Sequence, residues 1–262
     1  DSMVANYTAL KKKRYRDDYT PGGLNNRRPD RATIIYTNLI RKWFKHTRPI
    51  VLGGIEASLR RIAHYDYWSD RVRRSILLDS KADYLLYGMA DLSVLELADA
   101  LGNNQDPRSI RGLCYCVNSD DFPAVPQSYV ELPSHDIVKE DHLAFIDMFH
   151  TFYKNNDPLT ARGLYQQHGM RYLVQNPPPK YPTQTETDHI YNLEFERGQH
   201  PFYEQQGPVK ALETIQFSIS THRGCYGECN FCAIAVHEGR TIRWRSEESI
   251  ITEARSLIKH PD

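Results

Sequence analysis

Three cysteines within eight residues, Cys225, Cys229 and Cys232, constrain this chain more than any other feature. They lie in the run Cys225-Tyr226-Gly227-Glu228-Cys229-Asn230-Phe231-Cys232, and with five cysteines in all the count is odd, a poor basis for a disulfide framework. Thiols this close suit a metal, which would fix the loop and make its surroundings a scaffold. Thiolates bind zinc and iron–sulfur clusters alike, so ligand type leaves both open. The C-x3-C-x2-C spacing lets each thiolate take a different iron of one cubane, leaving the fourth iron free for a small chelating molecule. The alternative is a closed Cys3His zinc site, completed by His222 before the first cysteine or His237 after the last.

The scaffold reads as α/β. Apolar spacing is helical from Asp30. Residues 49–52 form a short buried strand ending at Gly53-Gly54, and the apolar run 82–87 stops at Gly88. A helix over about 91–101 and a strand over 112–117 follow, and this alternation predicts a parallel sheet wrapped by helices. Cys114 and Cys116 are expected as buried residues of that strand, on opposite faces. Ser134 caps a predicted helix to about residue 153, and 157–167 reads as another. The run Asn176-Pro177-Pro178-Pro179-Lys180-Tyr181-Pro182 must be extended, because consecutive prolines fix φ and remove donors. The polar stretch from there to about residue 207 reads as a linker. A strand is expected over 212–219, then the cysteine loop, then a helix over about 246–259. The domains expected are 1–120, a partial Rossmann-like sheet; 121–207, a helical and Pro-rich connector; and 208–262, carrying the cysteine loop.

The cysteine run resembles the signature of the radical SAM superfamily, in which an aromatic residue, here Phe231, precedes the last cysteine. The wider text is similar to YgiQ-type radical SAM proteins over essentially the whole chain. The residues carrying this are Ser220-Thr221-His222-Arg223-Gly224-Cys225, Arg243-Trp244-Arg245-Ser246, Val51-Leu52-Gly53-Gly54-Ile55-Glu56-Ala57-Ser58 and Arg111-Gly112-Leu113-Cys114-Tyr115-Cys116. The resemblance implies a partial doubly wound sheet, a connector, and the first β/α unit of a radical SAM partial TIM barrel, with the chain truncated at both ends. It implies a [4Fe–4S] cluster on Cys225, Cys229 and Cys232, with S-adenosylmethionine on the fourth iron and Phe231 beside its adenine. One electron, from a flavodoxin- or ferredoxin-type donor, would cleave S-adenosylmethionine to methionine and a 5′-deoxyadenosyl radical. The function implied is a radical SAM enzyme whose substrate is open and whose catalytic residues are unassigned. The alternatives are a methylthiotransferase-like enzyme acting on tRNA or protein, and a non-catalytic binding module bearing zinc or a cluster.

Ligands of open α/β sheets sit beyond the carboxyl ends of strands, which makes Gly53, Gly54 and Gly88 the candidate cofactor-binding turns. The arrangement resembles the cobalamin-binding domain that precedes the barrel in one branch of the superfamily. The motif supplying a histidine ligand to cobalt in that branch would fall upstream of Asp1; the expectation is glycines that only permit sharp turns in an empty sheet, with bound cobalamin as the alternative. Pyrophosphate binding is disfavoured because Gly53-Gly54 lacks the third glycine of the dinucleotide fingerprint.

Net charge is zero, but residues 1–48 hold twelve Lys and Arg against four Asp. The run 11–16, with Tyr7, Tyr15 and Tyr19, could meet RNA phosphates and bases, although a solvated face is the simpler expectation. His64, Asp66 and Asp70 near Trp68 read as packing. No window approaches 18 apolar residues, so no membrane partner is expected. The first residues lack a signal-peptide pattern, which points to the cytoplasm.

Overall fold

A computed structural model describes residues 2–259 and divides into two compact units. One comprises Tyr36–Pro182 and Gly224–Ile242; the other comprises Asp1–Ile35, Thr183–Arg223 and Arg243–Asp262. Helices and strands alternate, so the α/β architecture expected from the sequence is present.

The larger unit is built on eight strands. They are β1 (Val51–Leu52), β2 (His64–Asp66), β3 (Arg71–Arg73), β4 (Tyr84–Leu86), β5 (Leu113–Asn118), β6 (Val130–Leu132), β7 (Leu164–His168) and β8 (Arg171–Gln175). Six of them make one sheet in the order β1-β4-β5-β8-β7-β6, while β2 and β3 form a separate hairpin. The sheet is mixed rather than parallel: only β1–β4 and β6–β7 run parallel, and the three central pairings are antiparallel. One antiparallel pairing, β4–β5, lies within residues 1–120, and the other two involve the segment set apart as a connector. That segment supplies β6, β7 and β8, and β7 turns directly into β8 through Gly169, whose φ of 63° provides the left-handed residue that a two-residue hairpin needs. The helix expected over 157–167 gives way to β7, where Leu164, Gln166 and His168 alternate as buried residues.

Strand β5 lies inside the sheet, between β4 and β8. Leu113, Tyr115 and Val117 face a core shared with Leu97 and Ala100 of the helix Asp91–Gly102 and with Ile110 and Val174. Cys114 and Cys116 therefore share the other face. The expectation of opposite faces fails on the two-residue period of a strand. Cys114 lies in register with Gln175 and Cys116 with Leu173.

The proline run lies across the ends of the strands. Pro177 C=O accepts from Gly112 N–H at 2.8 Å, and Arg111 Nε donates to Pro178 C=O at 2.9 Å. Gly112, at φ 76°, has no room for a Cβ: Pro179 Cδ would stand 2.9 Å from it.

In the smaller unit, β9 (His222–Arg223) pairs antiparallel with β10 (Arg243–Trp244). A capping box at Thr183 and Glu186 starts the helix Gln184–Tyr191, and Ser246 caps Glu247–Leu257. The strand expected over 212–219 does not form: Leu212–Ile215 is a helical turn, and no strand follows before β9. A strand is completed by neighbours that accept its backbone bonds. Among the described residues of this unit, β9 and β10 are the only strands, and they pair with each other.

Candidate metal centre

The three cysteines lie on one loop of the larger unit, and all are free thiols. Cys229 is exposed, and Cys225 and Cys232 are half-buried. The loop folds back on its own exit. Cys225 N–H donates to Gly239 C=O at 3.2 Å, Gly224 N–H to Glu238 Oε2 at 3.2 Å, and Cys232 N–H to Cys229 C=O at 2.9 Å. Gly224 makes the entry turn at φ 83°, where an added Cβ would lie 2.4 Å from Thr241 O. Only glycine fits that conformation and that approach together.

Gly227 opens the space between the first two thiols. Its N–H donates to Cys225 Sγ at 3.4 Å, and a Cβ there would lie 3.4 Å from Cys225 Sγ and 3.7 Å from Cys229 Sγ. Backbone N–H···S bonds are among the levers that tune thiolate-bound clusters. Among the described residues, no three His, Cys, Asp or Glu side chains gather as a single metal ion would need. Zinc and a cubane would both be held here as thiolate complexes. Free, accessible thiols, an N–H···S donor and a glycine beside two sulfurs fit such a cluster.

The two candidate zinc histidines are engaged differently. His222 Nδ1 lies 2.9 Å from Thr221 Oγ1, and His237 ends the short helix Ile234–His237. Phe231, expected beside the adenine, is 92% exposed.

The glycines divide. Gly53 and Gly54 are exposed after β1, with no atom within 4 Å of an added Cβ; Gly54, at φ 75°, opens the helix Gly54–Leu59. Gly88, at φ 78°, packs against Pro179, which stands 3.0 Å from where its Cβ would be. The basic run 11–16 is exposed throughout, and Tyr15 fully so, whereas Tyr7 donates to Asp30 Oδ2 at 2.9 Å. Asp66 is buried and caps the β2–β3 turn by accepting from Ser69 N–H at 3.2 Å.

Several supporting residues carry no sequence signal. Asn156 is buried and donates to Ala235 C=O at 3.0 Å, fixing the helix that leaves the cysteine loop. Its Oδ1 accepts from Arg61 Nη2 at 3.2 Å, and Arg61 Nε reaches Gln175 Oε1 at 3.0 Å. The exit helix is thereby tied to β8 through buried side chains. Glu228, between the first two cysteines, has φ 45° and pairs with Arg240. An asparagine after a helix and a glutamate among cysteines are individually unremarkable, and only the fold brings their partners to them.

Comparison with known proteins bears on the scaffold that carries this loop. A UPF0313 protein of Fusobacterium nucleatum is 54% identical over 262 residues, covering 100% of this chain and 45% of its own length. A UPF0313 protein of Thermotoga maritima is 49% identical over 265 residues, again covering all of this chain and 46% of its own length. The chain thus spans about half the length of these relatives. A fainter structural likeness is to the radical S-adenosylmethionine methyltransferase TsrM from Kitasatospora setae with cobalamin and [4Fe-4S] cluster bound: TM-score 0.43, 17% identity, covering 86% of this chain and 31% of that one. Residues 1–218 match the family described as Radical SAM N-terminal, a span that reaches from the first residues through the whole six-stranded sheet and stops just short of Cys225. The three-cysteine loop follows directly on a scaffold of that description, and the chain belongs to the Radical SAM N-terminal family.

Proposed function

We propose that this chain carries the cluster site of a radical SAM enzyme, in which Cys225, Cys229 and Cys232 hold a [4Fe–4S] cluster and S-adenosylmethionine occupies its open iron. The observation that carries this reading is the loop: three free, accessible thiols, with Gly227 leaving the space beside two sulfurs clear and its N–H directed at one of them. When bound and reduced, the cluster supplies the electron that cleaves the sulfonium of S-adenosylmethionine. The chain's own residues hold and orient. The bonds from Gly224 and Cys225 to Glu238 and Gly239 close the loop, Asn156 fixes its exit, and Phe231 offers an aromatic face next to the last ligand. Electrons would come from a flavodoxin- or ferredoxin-type protein, and the hydrogen donor is the enzyme's substrate.

Anaerobic reconstitution of the full-length protein with ferrous iron and sulfide tests the reading. About four irons and four sulfides per chain are expected, with loss of the cluster in Cys229→Ala. Reduction with dithionite in the presence of S-adenosylmethionine should release 5′-deoxyadenosine. One bound zinc without sulfide would overturn the proposal in favour of a structural Cys3His site.

A further inference from the structure

Glu228 occupies the third position between Cys225 and Cys229, with its backbone in the left-handed region at φ 45°. A non-glycine residue holds that conformation when its surroundings over-determine it. Here the tether is Arg240, whose Nε lies 2.5 Å from Glu228 Oε1, an ion pair rather than an aligned hydrogen bond. Arg240 is itself fixed by the helix His142–Lys154. Its guanidinium lies 4.0 Å from the ring centroid of Tyr153, and Nη2 donates to Tyr153 C=O at 3.3 Å. Tyr153, Arg240 and Glu228 thus form a chain of contacts from a helix end to the residue immediately before a cysteine. Both members of the ion pair are partly exposed, at 31% and 44% of the side chain, and such pairs contribute little to global stability. The place of this pair is local: it joins the residue immediately before Cys229 to a helix end and brings a guanidinium charge to the loop.

We propose that Glu228, held by Arg240 on Tyr153, is a positioning residue for the ligand Cys229. This rests on the reading of the three cysteines as cluster ligands. Groups that orient metal ligands typically cost about 10- to 100-fold in metal affinity or activity when removed, and nearby charge shifts cluster potentials.

The test uses full-length protein, reconstituted anaerobically, as wild type and as Glu228→Gln, Arg240→Gln and Arg240→Lys. Readouts are iron and sulfide content, loss of the cluster's visible absorbance under an iron chelator, and the EPR spectrum and midpoint potential of the reduced cluster. Glu228→Gln and Arg240→Gln should lose the cluster about 10-fold faster than wild type, with a changed EPR spectrum and a shifted potential. Arg240→Lys, which keeps the charge, should recover part of the loss. Matching thermal melts of the metal-free proteins identify the effect as local. Loading, chelator resistance, EPR spectrum and potential all equal to wild type in both Gln variants would overturn this inference and leave the cluster reading intact. A wild type that takes one zinc and no sulfide removes the cluster reading, and this inference with it.

Discussion

Arg61 is wholly buried, and its hydrogen-bond partners are neutral: Gln175 Oε1 at 3.0 Å, Asn156 Oδ1 at 3.2 Å, Ser58 Oγ at 3.4 Å and Ser58 C=O. Its guanidinium also lies 4.2 Å from the Tyr87 ring and 4.4 Å from that of Phe152. Burial lowers its pKa, while the hydrogen bonds and aromatic faces compensate part of the desolvation of the charge. Arg61→Ala would leave a cavity and buried acceptors without donors, for an expected loss of about 3–5 kcal/mol in a urea melt. Arg61→Met refills the volume, and the expected loss falls to about 1–3 kcal/mol. A second residue-scale effect is set by two histidines. His168 is buried, neither ring nitrogen has a hydrogen-bond partner among the described residues, and its ring stacks 5.4 Å from His135. Burial first, then His135, Arg74 and His64, outweigh Asp79 and push its pKa down to about 3. His64 goes down to about 4 by burial, with Arg60 and Arg73 acting against Asp66 and the Ile62 carbonyl. The unfolded imidazoles take up protons near pH 6.5 while the folded ones refuse them. Stability from these groups is therefore complete above about pH 6.5 and is lost as pH falls towards the folded values. The melting temperature should drop between pH 7 and pH 5, and His168→Gln should flatten that slope. None of this was legible in the sequence, because a lone Arg or His carries no mark of the partners that long-range packing gives it.

At the scale of elements, patterns that depend on local chain chemistry were legible and those that depend on neighbours were not. The helices expected from the Ser134 cap and from about residue 246 form, as His135–Glu140 and Glu247–Leu257, although Asp141 interrupts the first and caps a new helix, His142–Lys154. The strand expected over 212–219 failed because its apolar residues, Leu212, Ile215, Phe217 and Ile219, do not specify a hydrogen-bonding partner. Strand β7 was missed for the converse reason: Gln166 and His168 are polar yet buried, Gln166 because Ala63 N–H, Pro133 C=O and Met148 Sδ satisfy it. The cysteine loop is an intermediate case. Its ligand spacing is visible in the sequence, but its closure is not, since that depends on Gly224 approaching Thr241 O. Gly224→Ala should therefore break the closure, with strain from both the positive φ and the backbone contact, for an expected loss of roughly 1–3 kcal/mol. Cluster loading should fall with it. Equal loading and an equal melting temperature in Gly224→Ala would show that the loop closes by another route.

For the molecule as a whole, the five cysteines separate by environment, and that separation can be measured without any cofactor. Cys229 is exposed and Cys225 and Cys232 are half-buried on the loop, whereas Cys114 and Cys116 lie on the covered strand β5 between β4 and β8. Burial pushes the Cys114 thiol up to about 12, with Arg61 opposing, and the Cys116 thiol up to about 11, with Arg171 opposing. The thiolate is the reacting form, so at pH 8 Cys114 is slow by charge as well as by access, and the half-buried Cys116 by charge. Metal-free protein treated with iodoacetamide should label its three loop cysteines quickly. Cys114 should label only through opening of the sheet, at a rate that rises with guanidinium as the core unfolds. Loading with iron and sulfide should then protect the three fast thiols and leave the behaviour of Cys114 unchanged. If Cys114 instead labels in native protein within about 10-fold of Cys229, the sheet opens locally, and the assignment of β5 to the stable core is wrong. If loading protects Cys114 and Cys116 while the loop thiols stay reactive, the metal has gone to the sheet, and the division of the five cysteines is reversed.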